Sequence, residues 1–133
     1  MSKHPVIHFE MPYQDQNRVA TFYEQVFGWT MNKTGPEYGG YVTAHTADTD
    51  ANNMVKTPGT INGGFYPNSP EIPGPKNTRV IVSVDDIKAA MKAVEAAGGK
   101  VQGDPVDIPS IGLWVNFTDS EGNLVGMLQA APK

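Results

Sequence analysis

The sequence predicts an α+β domain made of two copies of one unit: a strand, a helix and three more strands. Three observations predict it. Apolar residues alternate in "PVIHFEMP" (5–12) and again in "NTRVIVSV" (77–84), the pattern of half-buried strands. Each stretch is followed by an apolar stripe at helical spacing. Landmarks also recur at a fixed offset, since Asp15 to Asp86 and Gly28 to Gly99 both span 71 positions (86 − 15 and 99 − 28).

In the first strand Ile7, Phe9 and Met11 point one way and His8 and Glu10 the other. Asp15 is a candidate N-cap for a helix whose Val19, Phe22, Tyr23, Val26 and Phe27 form one stripe before Gly28 stops it. Strands are expected at about 30–34, 38–46 and 60–66, with the polar stretch "TADTDANNMVKTPG" as an exposed loop before the last. "PNSPEIPGPKN" holds four prolines and separates the halves. The second half then repeats the order, with Asp86 as cap, Ile87, Ala90, Met91, Val94 and Ala97 as stripe, and Gly98-Gly99 as stop. For the last strands the offset shortens to 62 (126 − 64), because "NGGF" aligns on "LVGM". The boundaries are therefore a single domain over 1–133, with one module at about 5–67, a linker at about 68–77 and a second module at about 78–130.

Alternation sorts the strand faces. Ile7, Phe9, Met11, Ile61, Phe65, Val80, Val82, Val84, Val125 and Met127 form a face for the two helices to cover, joined by Leu113, Val115 and Phe117. The other face carries His8, Glu10, Tyr41, Asn62, Gly64, Tyr66, Arg79, Ile81, Trp114, Asn116 and Gly126, a mixture of polar and aromatic groups suited to a small-molecule cleft. Gly126 stands out, because a glycine within a strand marks a close approach to the backbone. The space above it is expected to be open to a ligand or water.

Composition narrows the function. A net charge of −4 with 18% charged residues argues against a general polyanion binder, so no nucleic-acid partner is expected. With no cysteine, thiolate chemistry is excluded. The N-terminal stretch lacks the apolar core of a leader and no apolar run is long enough for a bilayer, which sets the expectation of a cytoplasmic protein without a membrane partner.

Three phrases in order, "VIHFEMPYQDQNRVATFYEQVFGW", "VSVDDIKAAMKAVEAAGGKV" and "DSEGNLVGMLQ", together with the internal repeat, resemble the vicinal oxygen chelate superfamily. That superfamily includes glyoxalase I, extradiol dioxygenases, fosfomycin-resistance enzymes and bleomycin-resistance proteins. The resemblance implies two βαβββ modules whose mixed sheet forms an open, U-shaped cleft with helices on the outer face, and commonly a homodimer. It also implies that metal-dependent members hold one divalent ion with residues of the first and last strand of each module. Those positions here are His8, Gly64, Arg79 and Gly126. Only His8 is retained as a ligand, since glycine offers no donor and guanidinium stays cationic. No cofactor is therefore expected, with a relocated divalent metal as the lesser alternative.

The site candidates each carry two readings. His8 and Glu10 are the catalytic candidates, for acid–base work, or they are an ordinary strand histidine satisfied by a neighbour and a solvated carboxylate. With His45 or Glu37 they could also make an unorthodox metal site. Arg79 either clamps an anionic ligand group or pairs with Glu10. Tyr41, Asn62, Tyr66 and Trp114 complete the ligand-binding set, with packing as the competing role for the aromatics and a structural role for Trp29. The leading functional expectation is a glyoxalase- or bleomycin-resistance-like protein with a degenerate metal site that binds a small molecule in the cleft. The alternatives are a lyase, isomerase or dioxygenase-like enzyme, and a dimeric interaction module without ligand.

Overall fold

The computed structural model describes residues 3–70 and 76–132, so the centre of the proline-rich linker, 71–75, lies outside the described residues. The chain divides into two compact units, His8–Thr78 and the residues from Arg79 onward together with those up to Ile7.

The first unit contains β1 (Val6–Tyr13, from His8), α1 (Gln16–Phe27), β2 (Thr30–Lys33), β3 (Val42–His45) and β4 (Asn62–Pro67). β1 pairs parallel with β4, while β4 with β3 and β3 with β2 are antiparallel. The second unit holds β5 (Arg79–Ser83), α2 (Ile87–Ala96), β6 (Lys100–Ile108), β7 (Gly112–Thr118) and β8 (Leu124–Ala130) in the same scheme, β5 parallel to β8 and the rest antiparallel. The α+β class and the repeated strand, helix and three-strand order are thus as the sequence predicts. The register reproduces both offsets. Glu10 lies opposite Gly64 and Ile81 opposite Gly126, 71 apart on the first strands (81 − 10) and 62 on the last (126 − 64).

Both helices start where the sequence places them. Asp15 accepts from the Arg18 amide at 3.0 Å, and Asp86 accepts from the amides of Lys88 and Ala89 at 3.1 and 3.2 Å. They end differently. Gly28, at φ 70°, closes α1 by donating its amide to the Glu24 carbonyl. After α2 the left-handed residue is Gly98 at φ 98°, with Gly98 donating to Glu95 and Gly99 to Val94 in a Schellman turn. The conformational counterpart of Gly28 is therefore Gly98, one position earlier than Gly99.

Each helix covers its own core. Under α1 lie Phe9, Met11, Met31, Val42, Ala44 and Phe65, and Tyr23 stacks on Trp29 at 4.7 Å, which makes Trp29 structural. Under α2 lie Val82, Val84, Leu113, Val115, Phe117 and Met127. Fully burying side chains such as Phe65 or Met127 contributes about 2 kcal/mol each. Ile7 and Val80, expected beneath the helices, are exposed instead: they sit at strand starts, outside both helix-covered cores. The strand expected over 38–46 also begins late. Pro36–Tyr38 forms a short 3-10 turn, and Gly39 and Gly40, at φ 65° and 71°, turn the chain before β3 can start.

No helix among the described residues is long and apolar enough to cross a membrane.

Candidate functional site

In the first unit the consecutive glycines of "NGGF" serve the two faces of β4. A β-carbon on Gly63 would collide with the ring of Phe9, which packs on the α1 side, and one on Gly64 would collide with the phenol of Tyr41 on the other. β4 carries glycines here because rings from neighbouring strands lie flat on its backbone. Gly64 sits between Glu10 of β1 and Thr43 of β3, and Tyr41 reaches across it from just before β3. The Tyr41 hydroxyl and His8 Nε2 share a hydrogen bond of 2.8 Å. Burial holds the His8 imidazole below its ordinary value of 6.5, against the Glu10 carboxylate, which pulls it upward. At neutral pH the pair is a neutral imidazole against a phenol, able to take or return a proton from a bound molecule.

Two other candidates of this unit bond backbone. Asn62 Oδ1 accepts from the amides of Thr46 and Ala47 at 2.8 and 2.9 Å, holding the turn after β3. Tyr66 is buried and donates its hydroxyl to the Asn77 carbonyl at 2.9 Å. His45 and Glu37 are exposed, His45 facing Asn32 at 3.5 Å. Among the described residues no three His, Cys, Asp or Glu side chains gather in a way that could hold a metal ion, so His8, Glu10, His45 and Glu37 are not assembled into one.

In the second unit Gly126 lies between Ile81 of β5 and Asn116 of β7. The space above it is filled, contrary to the expectation of an open site. A β-carbon there would be 2.5 Å from Ile81 Cδ1, 3.1 Å from Trp114 Nε1 and 3.2 Å from Asn116 Oδ1. Ile81 closes the position because the parallel register of β5 and β8 sets it directly opposite. Arg79 is buried, and its guanidinium carbon stands 5.6 Å from the centre of the Trp114 ring, within cation–π range. Asn116 is 7% exposed, and its Oδ1 makes no hydrogen bond among the described residues. Sequence reasoning put Asn116 on this face but not in the site. The signal was there: the hairpin "NFTDSEGNLVG" pairs Thr118 with Leu124, so counting back two and forward two sets Asn116 against Gly126.

Taken unit by unit, the superfamily's metal positions supply one imidazole beside a glycine covered by Tyr41, and a guanidinium beside a glycine covered by Ile81. That donor set does not fit a divalent cation, which needs three or four protein ligands.

Known proteins share the fold. The family described as the Glyoxalase/Bleomycin resistance protein/Dioxygenase superfamily matches residues 6–127. A glyoxylase-like domain-containing protein of Didymella fabae is 32% identical over 117 residues, covering 86% of this chain and 84% of that protein. The anthracycline biosynthesis protein DnrV of Streptomyces peucetius is 30% identical over 119 residues, covering 86% of this chain and 42% of that protein. CFP32 of Mycobacterium tuberculosis is 30% identical over 114 residues, 84% of this chain and 39% of that one, so the chain spans about two fifths of several curated relatives. Among solved structures, Streptomyces coelicolor methylmalonyl-CoA epimerase in complex with 2-nitronate-propionyl-CoA superposes with a TM-score of 0.69 at 14% identity, over 98% of this chain and 100% of that one. Hypothetical protein BH1468 of Bacillus halodurans gives 0.69 at 13%, over 99% and 98%. At such identities these likenesses concern the fold. On the family match and the repeated βαβββ register together, the chain belongs to the Glyoxalase/Bleomycin resistance protein/Dioxygenase superfamily.

Proposed function

We propose that the chain binds a small organic molecule without the divalent ion that metal-dependent members of its superfamily use. One observation carries this reading: both last-strand glycines, Gly64 and Gly126, lie under side chains of their own unit, Tyr41 and Ile81, where a metal site needs donor atoms. In the first unit His8 and Tyr41, with Glu10 beside them, are the proposed ligand contacts; in the second they are Arg79 and Trp114, suited to an anionic or aromatic group. Asn62 and Tyr66 complete the proposed set, each also hydrogen-bonded to backbone. A cytoplasmic homodimer belongs to the same reading and rests on the sequence; light scattering on purified protein tests the pairing.

The test is a thermal-shift screen of small acids, aromatic compounds and antibiotics in the presence of EDTA. Stabilising hits that survive EDTA and vanish in Tyr41→Phe or Trp114→Ala are expected. Stoichiometric zinc, nickel, iron or manganese in protein purified without chelator, lost in His8→Ala, overturns the proposal.

The 2.8 Å hydrogen bond between His8 and Tyr41 favours a second reading, an acid–base enzyme with His8 as base and Glu10 keeping its pKa from falling further. Turnover of a screening hit that disappears in His8→Asn while binding persists would select it.

A further inference from the structure

We infer that Tyr13, Gln16 and Thr34 are positioning residues, which grip the two carbonyls flanking the Tyr41 α-carbon and so hold its phenol on His8 before any ligand arrives. The inference rests on the small-molecule reading above and goes beyond it by naming the residues that preset its contact group in the first unit.

Tyr41 stands one residue before β3, whose pairing with β2 and β4 begins at Val42, so it lies outside both ladders. Side chains hold it instead. The Gly40 carbonyl accepts from the Tyr13 hydroxyl at 2.6 Å and from Gln16 Nε2 at 3.1 Å. The Tyr41 carbonyl accepts from the Thr34 amide at 3.0 Å and from the Thr34 hydroxyl. A carbonyl oxygen has two lone pairs, and both oxygens are therefore saturated. Gln16 Nε2 also donates to the Thr34 carbonyl at 3.1 Å, which joins the two grips through one amide. With the peptide planes on either side fixed, the Tyr41 ring keeps only its own rotamers, and Gly64 beneath it and His8 at 2.8 Å settle those. A ligand then meets a group already in place and does not have to order the loop that carries it.

Gly40 is fitted to the same contact. Its φ is 71°, and a β-carbon there would stand 2.8 Å from the Tyr13 hydroxyl oxygen, so glycine both makes the turn and admits the donor. Burial pushes the Tyr13 phenol above its ordinary value of 10, which keeps it a donor across the neutral range.

The second unit shows what the same positions do without this task. Tyr13 aligns with Val84 and Gln16 with Ile87 (84 − 13 and 87 − 16), and both are buried in the core under α2. Trp114, aligned with Tyr41, needs no such grip, because it lies inside β7 and pairs with Val106 of β6 and Leu128 of β8. Polar side chains are used in the first unit where the ladder stops short of the residue to be held.

The nitrogen NMR resonance of His8 Nε2, in the unliganded full chain at about pH 8 where the imidazole is neutral, reads the bond to Tyr41 directly. His8→Asn assigns it, and Tyr41→Phe marks the position of the unbonded imidazole. Tyr13→Phe and Gln16→Met keep the ring and the chain length but lose the donor. Each is expected to carry the resonance about halfway to the Tyr41→Phe position, and the double variant all the way, as donors sharing one network imply. Asp86→Ala, which loses a helix cap in the second unit, should leave it at the wild-type position, and this separates positioning from a general loss of stability. Should Gln16→Met fail to fold, Thr34→Val takes a donor from the other carbonyl with the same expected displacement, and Thr34→Ser restores the wild-type position. A resonance unmoved in the Tyr13 and Gln16 variants while Tyr41→Phe displaces it overturns the inference and leaves the small-molecule reading intact. An equal displacement in Asp86→Ala also overturns it. So does a Tyr41→Phe spectrum identical to wild type, which would mean there is no pair to position; the small-molecule reading is then judged separately by the EDTA screen.

Discussion

The two units place a glycine at the same point of the last strand and cover it in opposite ways. In the first, Gly64 lies beneath a tyrosine whose hydroxyl is engaged by His8. In the second, Gly126 lies against the methyl end of Ile81, with the indole of Trp114 and the unsatisfied amide of Asn116 beside it. By the internal repeat, Tyr41 corresponds to Trp114, Glu10 to Ile81 and Thr43 to Asn116. The backbone device has therefore been kept while its polarity has been exchanged. In the first unit Tyr41 and His8 satisfy each other, whereas in the second the Asn116 Oδ1 has no hydrogen-bond partner among the described residues. Duplication preserves register more firmly than chemistry, because a one-residue slip would turn every strand side chain to the wrong face, whereas side chains on a ligand-facing surface are free to diverge.

The largest expected effect comes from filling these glycines. Gly64→Ala must expel the Tyr41 ring and break its bond to His8, so a loss of about 2–3 kcal/mol is expected in urea unfolding. Gly126→Ala meets chiefly Ile81 Cδ1, the end of a flexible chain, and should cost less, about 1–2 kcal/mol. Ile81→Val in the Gly126→Ala background removes the colliding methyl and should recover part of that loss. Equal costs at the two glycines, or no recovery, would show that the two covers are not the different structures described.

The helix starts extend the comparison at smaller magnitude. α2 has three of its first amides satisfied by side chains: Lys88 and Ala89 by Asp86, and Ile87 by Gln129 Oε1 at 2.9 Å. α1 has one, Arg18 by Asp15. Asp86→Ala is expected to cost about 1 kcal/mol and Asp15→Ala nearer 0.5, measured by the same unfolding. The reverse order would mean that Gln129 alone holds the start of α2.

Much of this frame was legible beforehand, because alternation, caps and repeat offsets are local or countable. The parity of Phe9, Met11, Val82 and Val84 placed them under the helices, and Asp15 and Asp86 announced themselves as caps. What parity does not carry is volume. Gly126 reads as a vacancy because glycine is small, yet whether a vacancy stays open depends on the reach of Ile81 from the neighbouring strand. Residue type also conceals prior engagement: Asn62 Oδ1 accepts from the amides of Thr46 and Ala47, and the Tyr66 hydroxyl donates to the Asn77 carbonyl. Asn116 was the opposite case, an amide whose lack of any commitment only the packing around it reveals.

The smallest expected effect tests the His8–Tyr41 pair directly, through the titration of His8. Burial lowers the His8 pKa, so its NMR titration midpoint should fall below 6.5, and Glu10→Gln should lower it further by removing the carboxylate that pulls the other way. The consequence for stability has a definite sign. As pH falls through 6.5 the unfolded chain takes up the proton first, so stability declines between 6.5 and the folded midpoint and levels off below it; above 6.5 His8 contributes no slope. The difference between wild type and His8→Asn isolates the decline. A His8 midpoint at or above 6.5, or an identical pH dependence in the variant, would mean that the imidazole under Tyr41 is not held neutral by burial, and the first unit would then lack the self-satisfied polar pair that distinguishes it from the second.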